Sequence, residues 1–151
     1  MTGTGLLAVL YAEDDPDDRL LAEMAYRESG AANPIAFVAD GEEALDYLRG
    51  TGRHAERADA PPPGIVLLDL NMPGMDGRET LRIIRADPAL RRIPVVILTT
   101  SAAREDIIAS YDAGANSYIV KPSAFSNLVQ LFERLFGYWF DICSLPQEAR
   151  R

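Results

Sequence analysis

The chain has 151 residues, of which 48% are hydrophobic and 25% are charged, and it carries a net charge of −8. This length suits one domain with a substantial core, and the acidic balance argues against direct binding to nucleic acid, which needs a basic surface to neutralise phosphates. The only cysteine, Cys143, excludes an intrachain disulfide and fits the reducing cytoplasm, while no long apolar run or secretory pattern indicates membrane insertion or export.

Short apolar runs alternate with longer amphipathic segments along the chain. The runs lack the polar–apolar alternation of half-exposed strands, which is typical of parallel strands covered by helices on both faces. The pattern therefore predicts one α/β domain with a parallel sheet, and the proline-rich stretch 50–64 is expected to be a surface loop within it. The expected strands are 6–11, 35–39, 65–68, 95–98 and 118–120, and the expected helices are about 15–29, 42–49, 77–86, 103–113 and 124–140.

The first predicted strand runs directly into a cluster of acids: Glu13, Asp14, Asp15, Asp17 and Asp18. Pro16 suits the first turn of a helix, where its missing N–H needs no partner. Asp15 is therefore expected to cap that helix, with the next two acids in its first turn, where the helix dipole favours negative charge. Glu13 and Asp14 precede the helix and are expected to face the end of the sheet.

Three later strands also end in chemically distinctive residues: Asp69, Thr99 and Lys121. Because the carboxyl ends of parallel strands meet at one edge of a sheet, these side chains should lie close to Glu13 and Asp14. Carboxylates gathered in this way repel one another, and an all-oxygen site of this kind suits Mg²⁺. A strand-end aspartate can act as a nucleophile and a lysine can hold a phosphoryl oxygen, so the sequence predicts a site for an acyl phosphate on Asp69.

Four stretches of the chain, "AEDD", "LLDLNMPGMDG", "VVILTTSA" and "SYIVKP", resemble response-regulator receiver domains of two-component signalling in order and spacing. The resemblance covers about residues 5–136, and it predicts a receiver domain over 5–140 with a C-terminal extension over 141–151. The tail "LFGYWFDICSLPQEARR", together with "DGRETLRIIRADPALRRIPVVILTTSA", is similar to phytochrome-associated single-domain response regulators. The resemblance to receiver domains implies a flavodoxin-like (βα)5 fold with strand order 2-1-3-4-5. It also implies a cytoplasmic signalling protein rather than an enzyme. The partner of such a protein would be a sensor histidine kinase, such as a bacteriophytochrome.

The same resemblance implies roles for the residues at the sheet edge. Asp69 would be the phosphoacceptor, and Lys121 would contact the phosphoryl group. Mg²⁺ would be held by the side chains of Asp14 and Asp69 and by the backbone carbonyl of Asn71, with Glu13 completing the acidic pair, often through water.

Further roles implied by the resemblance concern the switch and the turn that follows the last strand. Thr99 and Tyr118 would form the switch pair, and the bond between Lys121 and Pro122 would be cis. Thr100 is bulkier than the Ala or Ser usual at its position, and would narrow access to the phosphoacceptor and alter autodephosphorylation.

The last predicted helix carries more apolar residues than one buried face requires. Positions 125, 128, 132, 135 and 139 are spaced by three and four and form the expected inward stripe. The excess indicates a second buried surface, covered either by the 141–151 tail or by another subunit. We expect a symmetric homodimer with Phe136, Trp139 and Phe140 in its interface, and a signal transmitted by protein contacts, since too few residues follow the helix for a DNA-binding module.

The sequence fits three other functions less well. An aspartyl-phosphate hydrolase needs a second aspartate two residues after the nucleophile, where this chain has Asn71. A flavodoxin needs a phosphate-binding loop after the first strand, where acids would repel the phosphate. A pseudo-receiver that serves only as an adaptor would have no use for Asp69, Thr99 and Lys121.

Overall fold

The computed structural model describes residues 6–146, which form a parallel sheet with helices on both faces. The strands are β1 (Val9–Ala12), β2 (Ile35–Val38), β3 (Ile65–Leu68), β4 (Val95–Thr99) and β5 (Ser117–Val120). The α-helices are α1 (Pro16–Glu28), α2 (Gly41–Arg49), α3 (Gly77–Ala86), α4 (Arg104–Asp112) and α5 (Phe125–Phe136). The strand order is β2-β1-β3-β4-β5 with every pair parallel, which confirms the predicted flavodoxin-like topology.

Two hydrophobic clusters form the core, one on each face of the sheet. β1, β3 and β4 contribute to both clusters because alternate residues of a strand point to opposite faces, and their side chains are all buried. α2 and α3 cover one face, with Leu81 and Ile84 fully buried, and α1 and α5 cover the other, where Phe132 is fully buried. This explains why the central strands are apolar throughout.

The stretch 50–64 is more ordered than the sequence indicated. It contains a 3-10 helix (Gly52–Arg57) that packs against α2. The ring of His54 lies 2.9 Å from a carboxylate oxygen of Glu43, and the guanidinium of Arg57 lies 3.6 Å from the centroid of the Tyr47 ring. The expected surface loop therefore contains a short helix, because a hydrogen bond and a cation–π contact fix this part of the connection to the domain.

The end of the chain also differs from the prediction. The helix α5 ends at Phe136 and continues as a π-helical segment (Gly137–Ile142), after which the chain turns and buries Leu145. A Cβ added to Gly64 would lie 2.8 Å from the Phe140 ring and 3.3 Å from Leu145, so this part of the C-terminal extension packs close to the backbone just before β3. None of the helices in the range 6–146 is long and apolar enough to cross a membrane.

Candidate functional site

The register between β1 and β3 brings Glu13 and Asp69 side by side. Ala12 of β1 is paired with Leu68 of β3, so the next residues, Glu13 and Asp69, leave the sheet as neighbours. The backbone N–H of Asp69 donates a hydrogen bond to the carbonyl of Ala12 at 3.2 Å, which continues the ladder by one residue. The positions of both acids are therefore set by sheet hydrogen bonds rather than by a loop.

Three carboxylates meet at this edge, as the sequence predicted. One oxygen from each of Glu13, Asp14 and Asp69 lies within 4.8 Å of the other two. Glu13 and Asp69 are buried, with exposed fractions of 1% and 7%, while Asp14 is half-buried. Burial raises the pKa of Glu13 against the opposing effect of Lys121. An all-oxygen cluster of this size and charge suits a hard divalent cation.

Lys121 lies in the middle of these charges. Its Nζ donates hydrogen bonds to Oε1 of Glu13 and, at 3.0 Å, to Oδ2 of Asp69, and it lies 4.0 Å from a carboxylate oxygen of Asp18. Burial lowers the pKa of Lys121, but the surrounding negative groups outweigh burial and raise it overall. The ammonium therefore stays charged at neutral pH and offsets one of the carboxylates.

The turn after β3 wraps tightly around Asp69. The backbone N–H of Asn71 donates to Oδ1 of Asp69 at 3.2 Å, which leaves the other carboxylate oxygen to Lys121. Gly77 begins α3, and a Cβ added there would lie 2.2 Å from the carbonyl oxygen of Asp69. The glycine of the "MDG" sequence is thus required because the helix passes directly against the backbone of the site.

The predicted switch residues are connected through the loop that follows β4. Thr99 is fully buried, and its hydroxyl has no hydrogen-bond partner among the described residues. Tyr118 donates its phenolic O–H to the carbonyl of Ser101 at 2.8 Å. The Ser101 hydroxyl donates to Asp106 at 2.6 Å, and Arg78 donates to the same carboxylate at 2.9 Å. Both switch residues are therefore connected to the loop after β4. Thr99 directly precedes this loop in the chain, and Tyr118 donates a hydrogen bond to it.

The remaining acids of the first loop occupy the positions expected of them. Asp15 caps α1, accepting hydrogen bonds from the backbone N–H groups of Asp17 at 2.8 Å and Asp18 at 3.2 Å. Asp17 and Asp18 lie in the first turn of α1, where the helix dipole favours negative charge. The five acids after β1 therefore do not each need a separate cation to neutralise them.

Two expectations about individual residues are wrong. All peptide bonds between described residues are trans, including the bond from Lys121 to Pro122, in keeping with the ordinary preference of X–Pro bonds. Phe136, expected at a subunit interface, is only 4% exposed and packs on Tyr26 and Phe132, with ring centroids 5.2 and 5.6 Å away. The buried face of α5 consists of Leu128, Phe132 and Phe136, spaced by four, so this residue belongs to the domain's own core.

Sequence reasoning missed two residues that contact or surround the site. Arg19 donates from Nη2 to the carbonyl of Glu13 at 2.9 Å and so holds the acidic loop against α1. Tyr11 is buried two residues before Glu13 and lines a cavity together with Lys121. A polar aromatic residue in an otherwise aliphatic strand, "VLYA", was the available signal for the second.

Comparison with known proteins agrees with this geometry. The family model described as "Response regulator receiver domain" matches residues 9–133. Response regulator Rcp1 of Synechocystis sp. is 36% identical over 138 residues, covering 91% of this chain and 92% of Rcp1. The solved Mn²⁺-bound form of Rcp1 superposes with a TM-score of 0.81 at 34% identity, over 93% of this chain and 99% of that one.

Two further solved structures are similar over nearly their whole length. A response regulator in red light signalling of R. palustris has a TM-score of 0.87 and 41% identity, over 93% of this chain and 99% of that one. The phosphorylated cyanobacterial phytochrome response regulator RcpA has a TM-score of 0.85 and 39% identity, over 94% of this chain and 99% of that one.

Proposed function

The chain belongs to the family of response regulator receiver domains, and from this premise we propose that it accepts a phosphoryl group on Asp69 from a phosphohistidine of a sensor kinase. The observation that carries the proposal is the position of Asp69 at the end of β3, in hydrogen-bond contact with Lys121 and within 4.8 Å of two further carboxylates. This arrangement combines a nucleophile, a cation for the phosphoryl oxygens and a set of metal ligands.

We further propose that Mg²⁺ is the resident cation. The side chains of Asp14 and Asp69 and the backbone carbonyl of Asn71 would hold it, with Glu13 completing the acidic set through water. When bound, such an ion neutralises charge on the phosphoryl group as that group moves. The donor set of three clustered carboxylates fits an oxygen-seeking divalent ion, and the Mn²⁺-bound form of Rcp1 supports a divalent site in a relative.

In the proposed transfer, a carboxylate oxygen of Asp69 attacks phosphorus, and the bond from phosphorus to the imidazole nitrogen of the donor breaks. The electron pair of that bond stays on the imidazole. Lys121 already contacts the attacking carboxylate, so its ammonium can pass to a phosphoryl oxygen with little movement. Hydrolysis of the acyl phosphate would later restore Asp69, and Thr100, which is exposed beside the site, is expected to influence its rate.

The signal would then leave through the face formed by α4, β5 and α5. Thr99 has a buried hydroxyl with no partner among the described residues, so it can bond an added phosphoryl oxygen. Its movement would shift the loop that Tyr118 contacts through Ser101. The face carries a group of large apolar side chains that are at least 37% exposed: Ile108, Tyr111, Val120 and Phe125. Such a patch is typical of a protein-binding surface.

We propose that this face, extended by the half-buried Trp139 and Phe140, mediates a homodimer. Light scattering with and without beryllofluoride, a phosphoryl mimic, would test this. A Val120→Asp variant should shift the protein toward monomer, whereas a chain that is monomeric in both conditions would contradict the assignment.

The kinase partner is proposed to be of the phytochrome type, acting in the cytoplasm. The support is that RcpA is a phytochrome response regulator and that the R. palustris relative acts in red light signalling. The single cysteine also suits a reducing compartment.

The decisive test of phosphoryl transfer is incubation with acetyl phosphate and Mg²⁺, followed by intact mass spectrometry. The parent protein should gain one phosphoryl group, and Asp69→Asn should gain none. Asp15→Asn is the matched control, since it removes a nearby carboxylate that caps α1 and lies outside the cluster. Equal labelling of the parent and Asp69→Asn would refute Asp69 as the acceptor.

A further inference from the structure

A small cavity opens beside the proposed phosphoryl site, between the start of α1 and the turn after β5. Its volume is about 200 Å³.

 The cavity is lined by apolar side chains and by a few polar groups: Tyr11, Asp18, Thr100, Lys121 and Ser123.

Tyr11 contributes a buried polar group to this cavity. Its side chain is 2% exposed and its ring packs on Phe37, with centroids 5.4 Å apart. The hydroxyl forms no hydrogen bond to any residue in the range 6–146, yet it is not sealed from solvent. It therefore opens onto the cavity, where water can reach it. A phenol is uncharged near neutral pH.

Lys121 contributes a second incompletely paired group to the same cavity. An ammonium has three N–H donors, and two of them are used by Glu13 and Asp69. Within the described part of the chain no third acceptor lies at hydrogen-bond distance, since the carboxylate of Asp18 is 4.0 Å away. An ammonium with a spare N–H donor and a phenol without a hydrogen-bond partner thus line the same cavity.

We propose that Tyr11 is a positioning residue for Lys121, acting through a water in this cavity that accepts from the ammonium and bonds the phenol. A buried water needs two to four polar partners and room for itself, and this cavity offers both. Because the phenol is neutral, the contact holds Lys121 near Asp69 without adding a negative charge that would compete with a phosphoryl oxygen. The inference rests on the proposed phosphoryl transfer to Asp69.

The test is the Tyr11→Phe variant, which removes the hydroxyl and keeps the ring that packs on Phe37. Phosphoryl uptake from acetyl phosphate should slow by about three- to tenfold, the range expected for loss of one net hydrogen bond. The dissociation constant for Mg²⁺, measured by calorimetry, should stay within about twofold of the parent value, because the proposed contact is to Lys121 and not to the metal ligands.

Tyr26→Phe is the matched control. Tyr26 is also buried, at 4% exposed, but its hydroxyl donates to the carbonyl of Asn33 at 2.6 Å, away from the site. The Tyr26→Phe variant should lose stability and keep the parent's rate of phosphoryl uptake.

Unchanged uptake in Tyr11→Phe would overturn the role of Tyr11 and leave the proposed function intact. A parallel loss of Mg²⁺ affinity and thermal stability would also overturn it, by indicating a packing defect. Absence of uptake by the parent protein would overturn both proposals.

Discussion

Replacing Asp14 by Asn should stabilise the protein when no divalent ion is present. Asp14 contributes one of three carboxylates whose oxygens lie within 4.8 Å of one another, and Lys121 pairs with the other two. Two unit charges at that distance repel by about 3.5 kcal/mol at an effective dielectric constant of 20 and by about 0.9 kcal/mol in bulk water. Since Asp14 is half-buried, we expect a gain of about 1–2 kcal/mol in the free energy of unfolding.

Urea denaturation with EDTA and with saturating Mg²⁺ measures this effect. A ligand at 100 times its dissociation constant stabilises the folded state by about 2.7 kcal/mol, and the parent protein should show a gain of this kind that Asp14→Asn largely loses. Asp15→Asn makes the same change of charge at a helix cap, where Asn is as good as Asp. Asp15→Asn should therefore change neither the stability in EDTA nor the gain in stability with Mg²⁺ appreciably. An Asp14→Asn variant that is less stable than the parent in EDTA would refute the argument from repulsion.

Two further predictions concern the structure around the site. Gly77→Ala should destabilise the fold by about 1–3 kcal/mol, because the added Cβ would lie 2.2 Å from the carbonyl oxygen of Asp69. Gly137→Ala is the control, since a Cβ there meets nothing within 4 Å, and equal melting temperatures for the two variants would contradict the prediction. Burial alone would raise the pKa of Glu43, but the backbone N–H of Ala39 and the ring of His54 lower it from 4.5. The stability that Glu43 contributes should therefore be present above pH 4.5 and lost as pH falls through the lowered pKa, so Glu43→Gln should flatten that part of a pH–stability curve.

The sheet and the acidic edge were predictable because both depend on short, local signals. Apolar runs without alternation indicated β1, β3 and β4, and the strand ends then placed Glu13, Asp69 and Lys121 together. No knowledge of side-chain packing was needed for this step, since parallel strands align their carboxyl ends.

Features that depend on tertiary packing could not be predicted in the same way. Phe136 was assigned to an interface because the apolar surface of α5 exceeds one stripe, but the chain itself buries this residue against Tyr26. The order of the 50–64 stretch comes from contacts to α2 made by His54 and Arg57, and composition alone does not reveal them. Tyr11 was missed because one residue in a buried strand carries no periodic signal.

The pairing of Ala12 with Leu68 has a consequence for how a cation would be captured. The backbone ladder fixes the spacing of Glu13 and Asp69, so an arriving ion would find these two carboxylates in place and would not need to draw a flexible loop together. Its entry should then be fast and limited by the shedding of its own water shell, with little change in the shape of the protein. Rearrangement would then belong to the proposed later event, in which a phosphoryl group on Asp69 reaches Thr99.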